Sequence, residues 1–203
     1  MCGFPLKAIE RTWNSNRERF LSLFLAWQVH CSNNSQHPTK REISAMSLTT
    51  VRPKMAFSNL LTVAYWGINT VEVFELSSTL KSVATSPSLP AIVRSLVLYN
   101  FGTGESSKFP NHYPYLLAGL GDGSVATMSW KEIRKPVVDG GSGRDVNLSD
   151  LKVTSLGHAP VNLSSCEVDG RKSVLAAGNR ATVFFMEKGR LVNSPIMLKA
   201  RLL

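Results

Sequence analysis

Three times along the chain an apolar run, a glycine-bearing turn and a second apolar run follow one another. Residues 60–76, LLTVAYWGINTVEVFEL, turn at Gly67 to Asn69; Val71, Val73 and Leu76 then alternate imperfectly with Glu72 and Glu75. Residues 115–130, YLLAGLGDGSVATMSW, repeat the plan around Gly121, Asp122 and Gly123. Residues 173–187, SVLAAGNRATVFFME, repeat it again around Gly178, Asn179 and Arg180. Asp-Gly and Gly-Asn between such runs predict β-hairpins, because the tight turns that match strand twist need positive φ. Asp122 and Gly123 are expected at the tip of a two-residue loop, with Gly123 at positive φ.

Further strands are predicted between the hairpins, at 91–101, 151–157, 159–168 and 191–199. Each unit is then strand, hairpin, strand. The hairpins recur at about 55 and 58 residues, a period that marks propeller blades. The expected fold is all-β: a partial β-propeller of four-stranded antiparallel blades. Two blades would be full and one would keep its last three strands, with units at about 60–86, 91–157 and 159–199 in a domain spanning 55–203. No helical period of useful length follows residue 55. Residues 1–54 are expected as a separate extension, poorly ordered or carrying one short amphipathic helix through Phe20, Leu23, Phe24 and Trp27.

Charge changes this picture at one end. The chain of 203 residues carries +9 with a pI near 9.7, a balance that favours polyanions and makes nucleic acid a candidate partner. Residues 1–54 hold eight Lys/Arg against three Asp/Glu, so the extension is far more basic than the body. In the body Lys131, Arg134 and Lys135 form the densest basic group, read as a solvated loop. Cys2, Cys31 and Cys166 stand far apart without a CxxC pair, which argues against a zinc ribbon or a disulfide scaffold. His30, Cys31 and His37 lack a fourth ligand at sensible spacing. The run RFLSLFLAW at 19–27 is too short to span a bilayer and lacks a cleavage site, so no membrane partner is expected. The sequons at Asn33, Asn147 and Asn162 are read as chance.

The glycines of 119–123 raise a phosphate-loop reading, which their spacing opposes. A dinucleotide loop needs G-x-G-x-x-G leading into a helix; here the spacing is G-x-G-x-G, and the β-formers Val125, Thr127 and Trp130 follow. Gly119 and Gly121 are instead expected to relieve crowding near the propeller axis. HExxH, G-x-S-x-G and EF-hand patterns are absent. The segment DGGSGRD at 139–145 reads as a flexible loop, and His112 and His158 have no evident partner in sequence. No catalytic, cofactor-binding or metal residues are nominated, and an enzyme is not expected.

The ordered elements resemble a known family. They are Arg94-Ser95-Leu96, Leu120-Gly121-Asp122-Gly123, Leu156-Gly157 with Pro160, Thr182-Val183, Leu191-Val192 and Leu198-Lys199. Their order and spacing are similar to the second β-propeller of the large subunit of the UV-damaged-DNA-binding complex, the adaptor of cullin-4 ubiquitin ligases. The large subunits of the splicing factor 3b and cleavage and polyadenylation complexes share this plan. The resemblance covers about residues 60–200. It implies a nuclear, non-enzymatic protein-interaction scaffold without a cofactor, in which the second propeller docks the cullin arm and contact with damaged DNA runs through a smaller partner. The RNA-processing relatives keep a nucleic-acid-binding subunit as the alternative. No cullin-contacting residue is carried over. Fewer than three blades stand where the family has a seven-blade ring, so a truncated product is expected, prone to self-association when isolated.

Overall fold

The computed structural model describes residues 41–48, 60–76, 80–102, 114–134, 144–168 and 170–197, all within one compact unit, Arg41–Leu203. Twelve strands among them form three four-stranded sheets. The first holds β1 (Ile43–Leu48), β2 (Leu60–Tyr65), β3 (Val71–Leu76) and β4 (Leu80–Thr85) in sequential order. The second holds β5 (Val93–Asn100), β6 (Pro114–Leu120), β7 (Ser124–Arg134) and β8 (Arg144–Ser155). The third holds β9 (Asn162–Val168), β10 (Arg171–Ala177), β11 (Thr182–Glu187) and β12 (Arg190–Pro195). Every pairing is antiparallel. The first strands converge, β5 lying against both β1 and β9, and the outer strands β4 and β8 also touch. This is the stacking of propeller blades, and the fold is a partial β-propeller.

The first blade differs from expectation. It has four strands, because Ile43–Leu48 pairs with β2. The 54/55 boundary therefore does not separate an extension from the sheets. The strand is hard to read because its register shifts between Ile43 and Ala45, and a bulge breaks the period-two pattern. The possible helix at 19–27 and the His30–Cys31–His37 group lie outside the described residues. So do His112, Lys135 and residues 139–143 of the glycine-rich loop, whereas Arg144 and Asp145 begin β8.

The middle blade explains its own sequence. Leu116, Ala118 and Leu120 of β6 pack with Val71, Val93 and Met128 in a core shared with the first blade. Leu117, on the opposite face, packs with Val174, Ala176 and Phe184 in a core shared with the third. Both faces of β6 are covered, so its residues read as a continuous apolar run rather than an alternation. β9 is largely exposed.

One backbone bond recurs in each blade. The residue after the outermost strand donates to the carbonyl at the start of the third strand: Ser86 N to Val71 O at 2.9 Å, Leu156 N to Gly123 O at 2.9 Å, and Ile196 N to Ala181 O at 2.8 Å. Each outer strand is thereby returned to the hairpin tip of its own blade before the chain leaves.

Candidate interaction surface

The hairpin tips and the links between blades form one continuous edge. The first link contacts the first tip, where Leu89 N donates to Asn69 O at 2.7 Å, and then the second, where Gly121 N donates to Ile92 O at 2.8 Å. The second link repeats this. Leu156 N reaches Gly123 O, and Arg180 N donates to Leu156 O at 3.0 Å.

The tips are built differently. In the first, Gly67 has φ 74° and nothing lies within 4 Å of where its Cβ would be. In the second, Gly119 faces Val125 in register, so Gly121, Asp122 and Gly123 form a three-residue loop rather than the expected two-residue one. Gly123 N donates to Leu120 O at 3.4 Å, and Gly123 has φ 89°. A turn closed by a left-handed residue is the usual three-residue hairpin. The Asp122 carboxylate folds back onto this turn, accepting from Ser124 N at 3.0 Å and Ser124 Oγ at 2.6 Å.

A Cβ on Gly123 would fall into the Gly157 carbonyl and lie 2.7 Å from His158 Cα. Crowding at Gly119 is equally real: a Cβ there would overlap Ser95 Oγ and Val161 O, where Ser95 Oγ already donates to Val161 O at 2.8 Å. Gly121 has no such constraint, since a Cβ would stand 3.5 Å from Ile92 O, an ordinary contact. No phosphate cradle is built here: the loop leads into β7, and the amides of Gly121 and Gly123 are spent on Ile92 and Leu120.

In the third tip Asn179 does the joining. Its Oδ1 accepts from His158 N at 2.8 Å and Ala159 N at 2.6 Å, fastening the second link to the third blade. A Cβ on Gly178 would stand 3.3 Å from Val161 Cγ2, a tight contact. The hairpin motif does not announce this latch, which goes beyond the turn role its sequence predicts for Asn179.

Two aromatic–arginine contacts complete the edge. Trp66, 43% exposed, precedes Gly67, and the Arg94 guanidinium lies over its ring at 4.8 Å. Arg41 lies over the Tyr65 ring at 5.7 Å and pairs with Glu72 at 3.4 Å. Sequence reasoning missed Trp66 as a surface group. The available signal was an aromatic next to a turn glycine.

A second polar cluster lies where β7 and β8 slip register between Thr127 and Ser129. Asp150, at φ 57°, accepts from Ser129 Oγ at 2.7 Å, Lys131 Nζ at 2.9 Å and Ser149 Oγ at 3.2 Å. The Lys131 hydrogen bond, then that of Ser129, holds its carboxyl down at about 2. So weak a base does not activate Ser129 near neutral pH, and the group reads as a bulge lock. Among the described residues, no group of three His, Cys, Asp or Glu side chains is placed to hold a metal ion, and no helix is long and apolar enough to cross a membrane.

Comparison with known proteins now fits this geometry. A family model for the RSE1/DDB1/CPSF1 second beta-propeller matches residues 28–201. The chain belongs to this family. The match begins well upstream of residue 60, in keeping with the strand at Ile43–Leu48. The chain is also similar to DNA damage-binding protein 1a of Arabidopsis thaliana, 27% identical over 158 residues. That alignment takes in 78% of this chain and 13% of the relative, so the chain spans a small part of its length. As an RSE1/DDB1/CPSF1-type second propeller, it carries the tip of its middle blade on strands packed on both faces, against the first blade on one side and the third on the other.

Proposed function

We propose that the chain is a non-enzymatic protein-interaction module, part of a nuclear scaffold of the cullin-4 ubiquitin ligase adaptor type acting in DNA repair and protein ubiquitination. The observation that carries the reading is the continuous edge of hairpin tips in a second-propeller family member. Rigid strands hold its side chains in fixed positions, and pre-organised Trp and Arg groups are typical of docking hot spots. Scaffold partners are proteins; nucleic acid is reached indirectly.

The test is capture of a purified cullin-4 N-terminal domain by the immobilised full chain over a range of salt. Binding that changes little with salt is expected. The alternative, motivated by the charge of +9, is direct nucleic-acid binding. Tight oligonucleotide binding that weakens steeply with salt, together with no cullin capture, would replace the present reading with that one.

A further inference from the structure

We infer that Trp66 and Arg94 form a receptor for a carboxylate-bearing segment of a partner protein. The inference rests on the interaction-module reading and names the chemistry of that edge. Arg94 enters β5 beside the second tip, and Trp66 opens the first tip, so the pair bridges two blades. With the guanidinium over the indole at 4.8 Å, its face is occupied while its in-plane N–H donors stay available. That fork matches a carboxylate in bidentate fashion. Part of the ordering cost of a long side chain is thereby met before any partner arrives.

The charge of Arg94 is not answered locally. Among the described residues, the ion pairs are Arg41 with Glu72 and Lys131 with Asp150. The neighbouring acid, Asp122, is turned onto Ser124. Gly121 supplies no side chain between Arg94 and solvent, and Gly67 has open space beyond it. An incoming carboxylate therefore meets a cation, flanked by the exposed part of the Trp66 ring for an apolar neighbour in the same segment. A nucleic-acid strand fits less well. Arg41, the other arginine stacked on an aromatic ring of this edge, is already paired with Glu72, whereas a phosphate run needs several free cations.

The experiment titrates the full chain with a capped hexapeptide alternating glutamate and leucine. A lysine–leucine hexapeptide and a short oligothymidylate are the comparisons, with tryptophan fluorescence and calorimetry as readouts. The glutamate peptide is expected to bind, with Arg94→Gln weakening it about tenfold, the scale of one charge-assisted bidentate contact. Arg94→Lys should recover part of that loss, and Trp66→Ala should weaken binding as well. Lys152→Gln, which removes the same charge from an exposed site on β8, should bind like the parent. Circular dichroism confirms that each variant folds. Absence of glutamate-peptide binding, or equal affinity in Arg94→Gln and Lys152→Gln, overturns the inference. So does preference for the oligothymidylate with loss in Arg94→Gln. Cullin capture unaffected by Arg94→Gln, with no peptide binding, would sink this inference and spare the proposed function. Peptide binding lost in Arg94→Gln, with no cullin capture, would do the opposite.

Discussion

Replacing Gly123 with alanine imposes two separate penalties, and Gly67 provides the means to divide them. Both glycines have positive φ, 89° and 74°. Left-handed backbone costs an L-residue roughly 1–2 kcal/mol, so both substitutions should lose that much. Gly67→Ala should lose nothing more, because its Cβ meets no atom within 4 Å. At Gly123 the new methyl would overlap the Gly157 carbonyl and stand 2.7 Å from His158 Cα. Backbone must move to admit it, at an additional cost of about 1–3 kcal/mol. Gly123→Ala is therefore expected to destabilise by roughly 2–5 kcal/mol, and Gly123→Val by no less. Urea unfolding followed by circular dichroism measures both variants against the parent. Equal losses at the two positions would show that the link does not press on the second tip, and the close packing of tip and link described above would be wrong.

The other expectations concern neighbouring contacts. Gly121→Ala should change stability by less than about 0.5 kcal/mol, as an unstrained surface substitution does; a larger loss would mean that the tip is packed after all. Gly157→Ala should be costly, since at φ 131° its Cβ would lie 2.5 Å from Asn179 Cβ and 2.6 Å from Asn179 Oδ1; the steric part of that cost, though not the backbone strain, should vanish in an Asn179→Gly background. A double-mutant cycle without coupling would count against the latch. Asp150 should titrate near pH 2 by carboxyl NMR, moving upward in Lys131→Gln. Its pKa is depressed on folding, so its contribution is present above the ordinary carboxylate range and fades as pH falls towards 2. The group is exposed, so salt should shrink the effect.

The sequence made most of the architecture readable because each hairpin carries both its turn chemistry and its apolar runs. Gly67, Gly121 to Gly123, and Gly178 with Asn179 sit between paired strands in all three sheets. What escaped was non-local or irregular. β1 hid behind its register shift. The loop length at Gly121 to Gly123 depends on register, which the dipeptide Asp-Gly does not fix. Lys188 and Gly189, both at positive φ, make a two-residue hairpin between β11 and β12, in the gap that the pattern reading left unassigned between its run ending at 187 and its strand beginning at 191. The Trp66–Arg94 pair joins residues 28 positions apart on different blades, and no local period encodes such a contact.

The bond from Leu156 to Gly123 has a consequence for how this fold tolerates change. It closes the neck of the second blade at the edge where the chain arrives and departs. Beyond that neck β7 and β8 run for 11 and 12 residues, whereas β3 and β4 have six each. The extra length of β7 and β8 therefore lies at the end of the blade away from its tip. The segment joining β7 to β8 is accordingly the natural place to graft a reporter or an epitope, at the end of the blade opposite the hairpin tip that the Leu156–Gly123 bond closes.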